Sequence, residues 1–266
     1  MLEAYGIEPS KALGQHFLID PNLAAAVAAD VGVGPGDVVV EIGAGLGALT
    51  TALAERDVDR VLAIEFDRQL LPALRSVAEA FPAVEVLDAD ATKIDWSATL
   101  GDGAWVACGN LPYNVGTAIV LSLLEHAPTV RTLVVMVQRE VADRLIATPS
   151  SREGYGPTSV RVAFHAEAAI VRSVPASVFW PRPSVASAIV RMDRRPQPAV
   201  DVDEATLWRV VDEAFGQRRK TIRAAVRRLG ADEPDAVLAG AGVDPSTRPE
   251  ELDLAAFARI AEALPA

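Results

Sequence analysis

Apolar residues come in short, nearly continuous runs, separated by stretches with helical spacing. Residues 38–42, 61–65, 84–87, 105–108, 132–137, 169–174 and 186–192 read as strands. Runs this unbroken fit strands buried on both faces of a parallel sheet. Between them, residues 46–56, 68–81, 118–125 and 139–146 repeat apolar positions at helical spacing. Strand–helix alternation predicts a doubly wound α/β domain. The last two strands are joined only by a proline-rich stretch, 175–183, which predicts an antiparallel pair at one edge. The pattern breaks at Arg195-Pro-Gln-Pro-Ala199, which reads as a linker. Beyond it, Leu207, Val210, Val211 and Ala214, then Ile222, Ala225, Val226 and Leu229, recur at helical spacing. The expected organisation is an α/β domain over residues 1–197 and a small all-helical domain over 198–266.

Composition narrows the class. The 266 residues suffice for a sizeable core. Half are hydrophobic and 23% are charged, which excludes a disordered chain. No uncharged apolar run approaches the roughly 18 residues of a membrane helix. The first residues lack the basic and apolar regions of a secretory signal. One cysteine, Cys108, precludes an internal disulfide, and three scattered histidines argue against a Cys/His zinc site. Cys108 itself reads as packing. The expectation is a soluble, cytoplasmic monomer.

A net charge of -11 and a pI near 4.8 argue, as totals, against a nucleic-acid partner. The distribution reverses that inference. Residues 1–130 carry 6 basic and 18 acidic side chains, a net of -12. Residues 131–228 carry 17 and 10, a net of +7, and residues 229–266 carry 2 and 8, a net of -6. The basic residues are almost all arginine, whose planar fork holds phosphate bidentately and stacks on bases.

Glu41-Ile-Gly-Ala-Gly-Leu-Gly-Ala-Leu-Thr50 follows the first strong strand and opens a helix. Gly43 and Gly45 allow a tight turn and close approach to a ligand. The spacing also fits a loose dinucleotide fingerprint. Glu41, just before the glycines, suits a cationic ligand such as S-adenosylmethionine better than a pyrophosphate. Glu65, ending the next strand, can accept from both ribose hydroxyls, although a nicotinamide enzyme would want that acid too. Asp90 is placed to accept from an adenine amine, with Asp88 as a competitor.

Gly109-Asn110-Leu111-Pro112-Tyr113-Asn114 follows the fourth strand. Exocyclic adenine nitrogen is a poor nucleophile, because its lone pair is delocalised into the ring. Two acceptors for its hydrogens favour a nucleophilic geometry. The Asn110 side-chain oxygen is one, and the Leu111 carbonyl, held by Pro112, is the second. Tyr113 can stack on the base. The stiff aromatic loop Phe179-Trp180-Pro-Arg-Pro183 suits a flipped base, with Phe179 facing Tyr113 and Trp180 read as packing. Arg218, Arg219, Lys220, Arg223, Arg227 and Arg228 form a basic stretch. Arg219, Arg223 and Arg227 lie four apart and share a helix face, a candidate ridge for RNA phosphates.

Together these motifs resemble the small-subunit ribosomal RNA adenine N6,N6-dimethyltransferases, the KsgA family, over nearly the whole chain. Leu13-Gly-Gln-His-Phe-Leu-Ile-Asp20 is similar to that family's cofactor-covering motif. The segments 41–50, 63–67, 110–114, 136–145, 155–160, 174–187 and 214–223 follow its other motifs in order. The resemblance implies a class I S-adenosylmethionine-dependent methyltransferase fold, Rossmann-like with a seven-stranded sheet, followed by a helical C-terminal domain. It implies cofactor contacts from Gln15, His16, Gly43, Glu65, Asp90 and Asn110, and from the Leu18 backbone. It implies a Tyr113–Phe179 sandwich on the flipped adenine. The substrate would be two adjacent adenosines in the 3′-terminal hairpin of 16S rRNA, within a 30S particle or its precursor. Two departures are small: Ser184 stands where lysine is common, and Phe66 where a smaller aliphatic residue is usual. The related large-subunit methylases share the cofactor and target motifs, but the run Phe215-Gly-Gln-Arg-Arg-Lys-Thr-Ile-Arg223 and Asn114 favour the small-subunit family. A non-enzymatic descendant is the other alternative, against which Glu41, Glu65, Asp90 and Asn110 are all intact.

Overall fold

The structure is a computed structural model and describes residues 6–10, 14–151, 153–217 and 220–265. The first elements are a short strand, β1 (Phe17–Leu18), and helix α1 (Pro21–Val31). Periodicity did not single out α1, but its ends carry clear signals. The Asp20 carboxylate accepts from the Asn22 and Leu23 backbone N–H groups, Pro21 occupies the first turn, and Gly32 closes the helix at φ 74°. There follow β2 (Val38–Ile42), α2 (Ala48–Ala54), β3 (Arg60–Glu65), α3 (Leu71–Ala80), β4 (Val84–Asp88), α4 (Trp96–Leu100) and β5 (Trp105–Asn110). Next come α5 (Gly116–His126), β6 (Val130–Gln138), α6 (Arg139–Leu145), α7 (Pro157–His165), β7 (Ala166–Val174), the short β8 (Phe179–Trp180) and β9 (Ser187–Arg194).

Seven strands form one sheet in the order β4-β3-β2-β5-β6-β9-β7. Neighbours from β4 to β6 are parallel, and β9 runs antiparallel to β6. The last two strands of the sheet, β7 and β9, are neighbours at one edge, with β7 outermost. The expected seven-stranded α/β class is the observed one. Strand residues Val39, Val61 and Ile189 share one buried core cluster with Leu53 of α2 and Leu74 of α3, so helices cover the sheet. Strand order reverses between β2 and β5, and ligands of such sheets bind at the carboxyl ends beside that switch. A separate two-stranded ribbon pairs β1 with β8, Phe17 opposite Trp180 and Leu18 opposite Phe179.

By contacts the chain divides into two compact units. The first holds residues 1–142 and 168–194, and the second holds 143–167 and 195–266. The second contains α8 (Glu204–Gly216), α9 (Ile222–Arg228), α10 (Pro234–Gly240) and α11 (Leu254–Ala263) around Leu207, Val211, Ile222 and Phe257. It is larger than the expected 198–266, because Tyr155, Val160 and Phe164 share that core. The stretch 195–199 is not a free linker either. Arg195 and Ala199 donate backbone N–H groups to the carbonyls of His165 and Phe164.

Candidate active site

A cavity of about 260 Å³ opens at the carboxyl ends of β2, β3 and β5. Its floor depends on glycine. A β-carbon at Gly109 would collide with the carbonyl oxygen of Ile42. Without one, β5 lies close against β2, and this brings Asn110 beside the turn that begins at Gly43. Gly43 turns at φ 73°, a left-handed conformation that glycine adopts without strain. Its N–H and that of Ala44 both donate to the Ile64 carbonyl, at 2.9 and 3.0 Å, which clamps the loop onto β3.

Four carboxylates line the cavity, Glu41, Glu65, Asp67 and Asp90, and their environments differ. Glu41 is 2% exposed, and the Thr50 hydroxyl donates to its Oε2 at 2.6 Å. Burial pushes its pKa up to about 8, the Thr50 bond opposes this, and Glu65 adds to it. Glu65 accepts backbone N–H groups from Gly45 and Asp67, each at 2.8 Å. Burial still raises its pKa, against those bonds. Each carboxylate oxygen has two lone pairs, so acceptor capacity remains. Asp90 differs: Lys93 at 2.8 Å and the Thr92 hydroxyl at 2.6 Å hold it at about 2. It is an anionic acceptor throughout the physiological range. Asp88 is not among the lining residues and pairs instead with Arg68.

Residues 14–18 form a strap that makes another wall. Gln15 anchors it. Its Nε2 donates to Asp67 at 2.7 Å, and its Oε1 accepts from the Ser10 N–H at 2.8 Å. Both ends of that amide are therefore engaged by protein. His16 Nδ1 lies 2.6 Å from the Pro181 carbonyl, and its ring lies 5.0 Å from that of Tyr113. Leu18 lines the cavity as well.

Asn110 is fixed by the same strap. Its Nδ2 donates to the His16 carbonyl at 2.8 Å. A carbonyl only accepts, so the amide nitrogen must face it and Oδ1 faces the other way. The Leu111 N–H donates to the Met136 carbonyl, while the Pro112 carbonyl accepts from Val115 and Gly116. The turn therefore consumes the proline carbonyl, and among the described residues no donor reaches that of Leu111. The Tyr113 hydroxyl and Ser187 Oγ are 2.9 Å apart, and burial raises the phenol pKa. Thr50, Asp67 and Ser187 were not singled out from sequence. Their partners lie 9, 52 and 74 residues away, and only the fold brings them together.

Phe179 departs from the expected sandwich. It is 2% exposed, belongs to the core cluster with Cys108 and Ile189, and is not among the cavity-lining residues. Adjacent residues of a strand point to opposite faces, so burying Phe179 turns Trp180 outward. Trp180, expected to pack, is 44% exposed.

In the second unit, Lys220, Arg223 and Arg227 are exposed, and Arg223 pairs with Asp235 at 2.7 Å. Arg218 and Arg219 lie outside the described residues. Among the described residues no cluster of three metal-ligating side chains occurs, and no helix is long and apolar enough to cross a membrane.

Comparison with known proteins identifies the lineage. The profile of the family "Ribosomal RNA adenine dimethylase" matches residues 8–265. A "Ribosomal RNA small subunit methyltransferase A" of Thermobifida fusca is 44% identical, covering 98% of this chain and 92% of its own. A protein of the same name from Kineococcus radiotolerans is 43% identical, over 98% of this chain and 88% of its own. Among solved structures, the 23S rRNA methyltransferase ErmE aligns with a TM-score of 0.71 and 28% identity, over 93% of this chain and 99% of its own. A dimethyladenosine transferase from Plasmodium falciparum shares the fold, with a TM-score of 0.79 at 22% identity, over 92% of this chain and 96% of its own. With a match across almost its whole length, the chain belongs to the ribosomal RNA adenine dimethylase family.

Proposed function

We propose that the protein transfers methyl groups from S-adenosylmethionine to N6 of two adjacent adenosines in the 3′-terminal hairpin of 16S rRNA. It acts as a monomer on a 30S subunit or its precursor. The observation that carries this reading is the orientation of Asn110. Its nitrogen is committed to the His16 carbonyl, so its oxygen is the acceptor offered at the carboxyl edge of the sheet. An ionised carboxylate has no hydrogen to give such an acceptor, and a hydroxyl has only one, which it must lose on reacting. An amine that must lose delocalisation gains a bond from it.

S-adenosylmethionine, when bound, supplies a methyl group already activated on a sulfonium. The chain then has to position and desolvate. Glu41 sets the charge at the cationic end. Glu65 accepts from the ribose hydroxyls and Asp90 from the adenine amine. Gln15 holds the strap, and His16 and Leu18 complete the wall. Gly43 and Gly45 let the backbone approach. Asn110 Oδ1 and the Leu111 carbonyl accept from the target N6, while Tyr113 stacks on the flipped base. Phe179 completes the sandwich only if its ring leaves the core. The unit of residues 1–142 and 168–194 would carry methyl transfer, and the unit of 143–167 and 195–266 would carry rRNA binding.

The decisive experiment is transfer of labelled methyl to undermethylated 30S particles, with 50S particles in parallel. Dimethyladenosine in 16S rRNA supports the reading. Label confined to 23S rRNA assigns the protein to the large-subunit branch. The basic stretch gives a second test. Neutralising Arg219, Arg223 and Arg227 together should weaken RNA binding and lower its salt slope by roughly one per arginine. Cofactor affinity should not change. An unaltered slope would show that these residues are merely a solvated face.

A further inference from the structure

Five large hydrophobic side chains are exposed among the described residues. Isolated cases need no explanation, but these are not scattered. Ile19 directly follows the strap, Trp180 and Val185 follow Phe179, and Phe66 lines the cavity. Only Val171 lies elsewhere.

The ribbon of β1 and β8 fixes where the indole points. Trp180 is directly opposite Phe17, and such pairs share a face. Ile19 is two residues beyond Phe17, so it joins the same face, and its N–H donates to the Val178 carbonyl at 3.0 Å. The indole and Ile19 are both exposed, at 44% and 54%, while Phe17 on that face is buried at 8%. The next residue, Pro181, is tied through its carbonyl to His16, whose ring meets Tyr113. Arg182, exposed, comes next.

We propose that Trp180, with Ile19 beside it and Arg182 following it, is a stacking platform for single-stranded RNA next to the flipped adenosine. The proposal rests on the function proposed above and extends it to the neighbouring nucleotide. Flipping one base out of a strand removes a stacking partner from the next. An indole held at the rim by a rigid ribbon replaces that partner, and stacking is tolerant of base identity. Arg182 supplies charge complementarity to the adjoining phosphate. The surface is continuous, through His16 and Pro181, with the wall that holds Asn110.

The test is steady-state methylation of undermethylated 30S particles by Trp180→Ala and Trp180→Phe. Trp180→Ala should raise KM about tenfold, with kcat changed by less than about twofold. Trp180→Phe should recover most of the loss, and cofactor affinity should stay at the wild-type value in both. An unchanged KM for Trp180→Ala overturns the proposal. So does equal loss in both variants with a lowered Tm, which marks a packing role. A second arm does not depend on turnover. The emission difference between wild type and Trp180→Phe should be quenched by the protein-free 3′-hairpin RNA. No quenching, or quenching by 30S particles alone, overturns the RNA platform, the latter in favour of a ribosomal protein. A wild type that methylates no particle refutes the proposed function, while the emission arm still decides the platform.

Discussion

Replacing Asn110 with alanine should lower methyl transfer about 100-fold to 1,000-fold, the loss seen when one preorganised polar contact to a transition state is removed. The protein should stay folded. The side chain is half-buried and makes one hydrogen bond, to the His16 carbonyl, so its removal should cost about 1 kcal/mol. That shifts Tm by roughly 2–4 °C in a chain of this size. Asn110→Asp separates the two duties of the amide. The carboxylate keeps an acceptor for the target amine but cannot donate to the strap, and it faces a carbonyl that repels it. This variant should therefore bind cofactor less well than Asn110→Ala, while both are poor catalysts. Single-turnover methylation beside cofactor calorimetry measures both effects. An alanine variant that dimethylates within tenfold of wild type would remove Asn110 from the chemistry.

The parts of this site that could be read from sequence are those in which function and local backbone coincide. Glu41, Gly43, Glu65 and Asn110 all sit where a buried strand ends, and hydrophobic runs mark strand ends well. Asp90 and Asp88 could not be separated by pattern, since Asp88 ends β4 and Asp90 lies two residues beyond it. The structure distinguishes them by partner, Lys93 for the first and Arg68 for the second. Phe179 and Trp180 show the opposite limit. Two adjacent aromatics in a strand must face opposite ways, but sequence does not say which face is the core. Burial of Phe179 was decided by its pairing with Leu18, 161 positions earlier. Helix α7 and the rest of segment 143–167 belong to the helical unit, against the sequence expectation, for a similar reason. Chain order placed them among the strands, while Tyr155 reaches the Leu252 carbonyl at 2.7 Å and joins the helical core.

Glu41 should make both stability and cofactor binding depend on pH. In the unfolded chain it titrates near 4.5, and in the folded chain near 8, because burial disfavours its charge. Between those values the folded protein holds a proton that the unfolded chain lacks. The cofactor-free protein is thus unaffected by this group below about pH 4.5. It loses stability as pH rises towards 8, and above that it carries the full penalty of a buried charge. Glu41→Gln keeps an acceptor for the Thr50 hydroxyl and removes the charge. Its Tm should match wild type near pH 4.5 and exceed it by roughly 5 °C or more at pH 8.5, a few kcal/mol. Cofactor binding should move the other way. A cationic ligand favours the carboxylate, so binding near pH 7 should expel a proton from Glu41. Calorimetry in buffers of different ionisation enthalpy reads that proton directly. Glu41→Gln should release none from this position and bind about 10-fold to 100-fold more weakly, the range of a lost charge-assisted contact. A variant that is more stable at high pH and yet binds the cofactor as tightly as wild type would show that the charge of Glu41 serves neither binding nor fold.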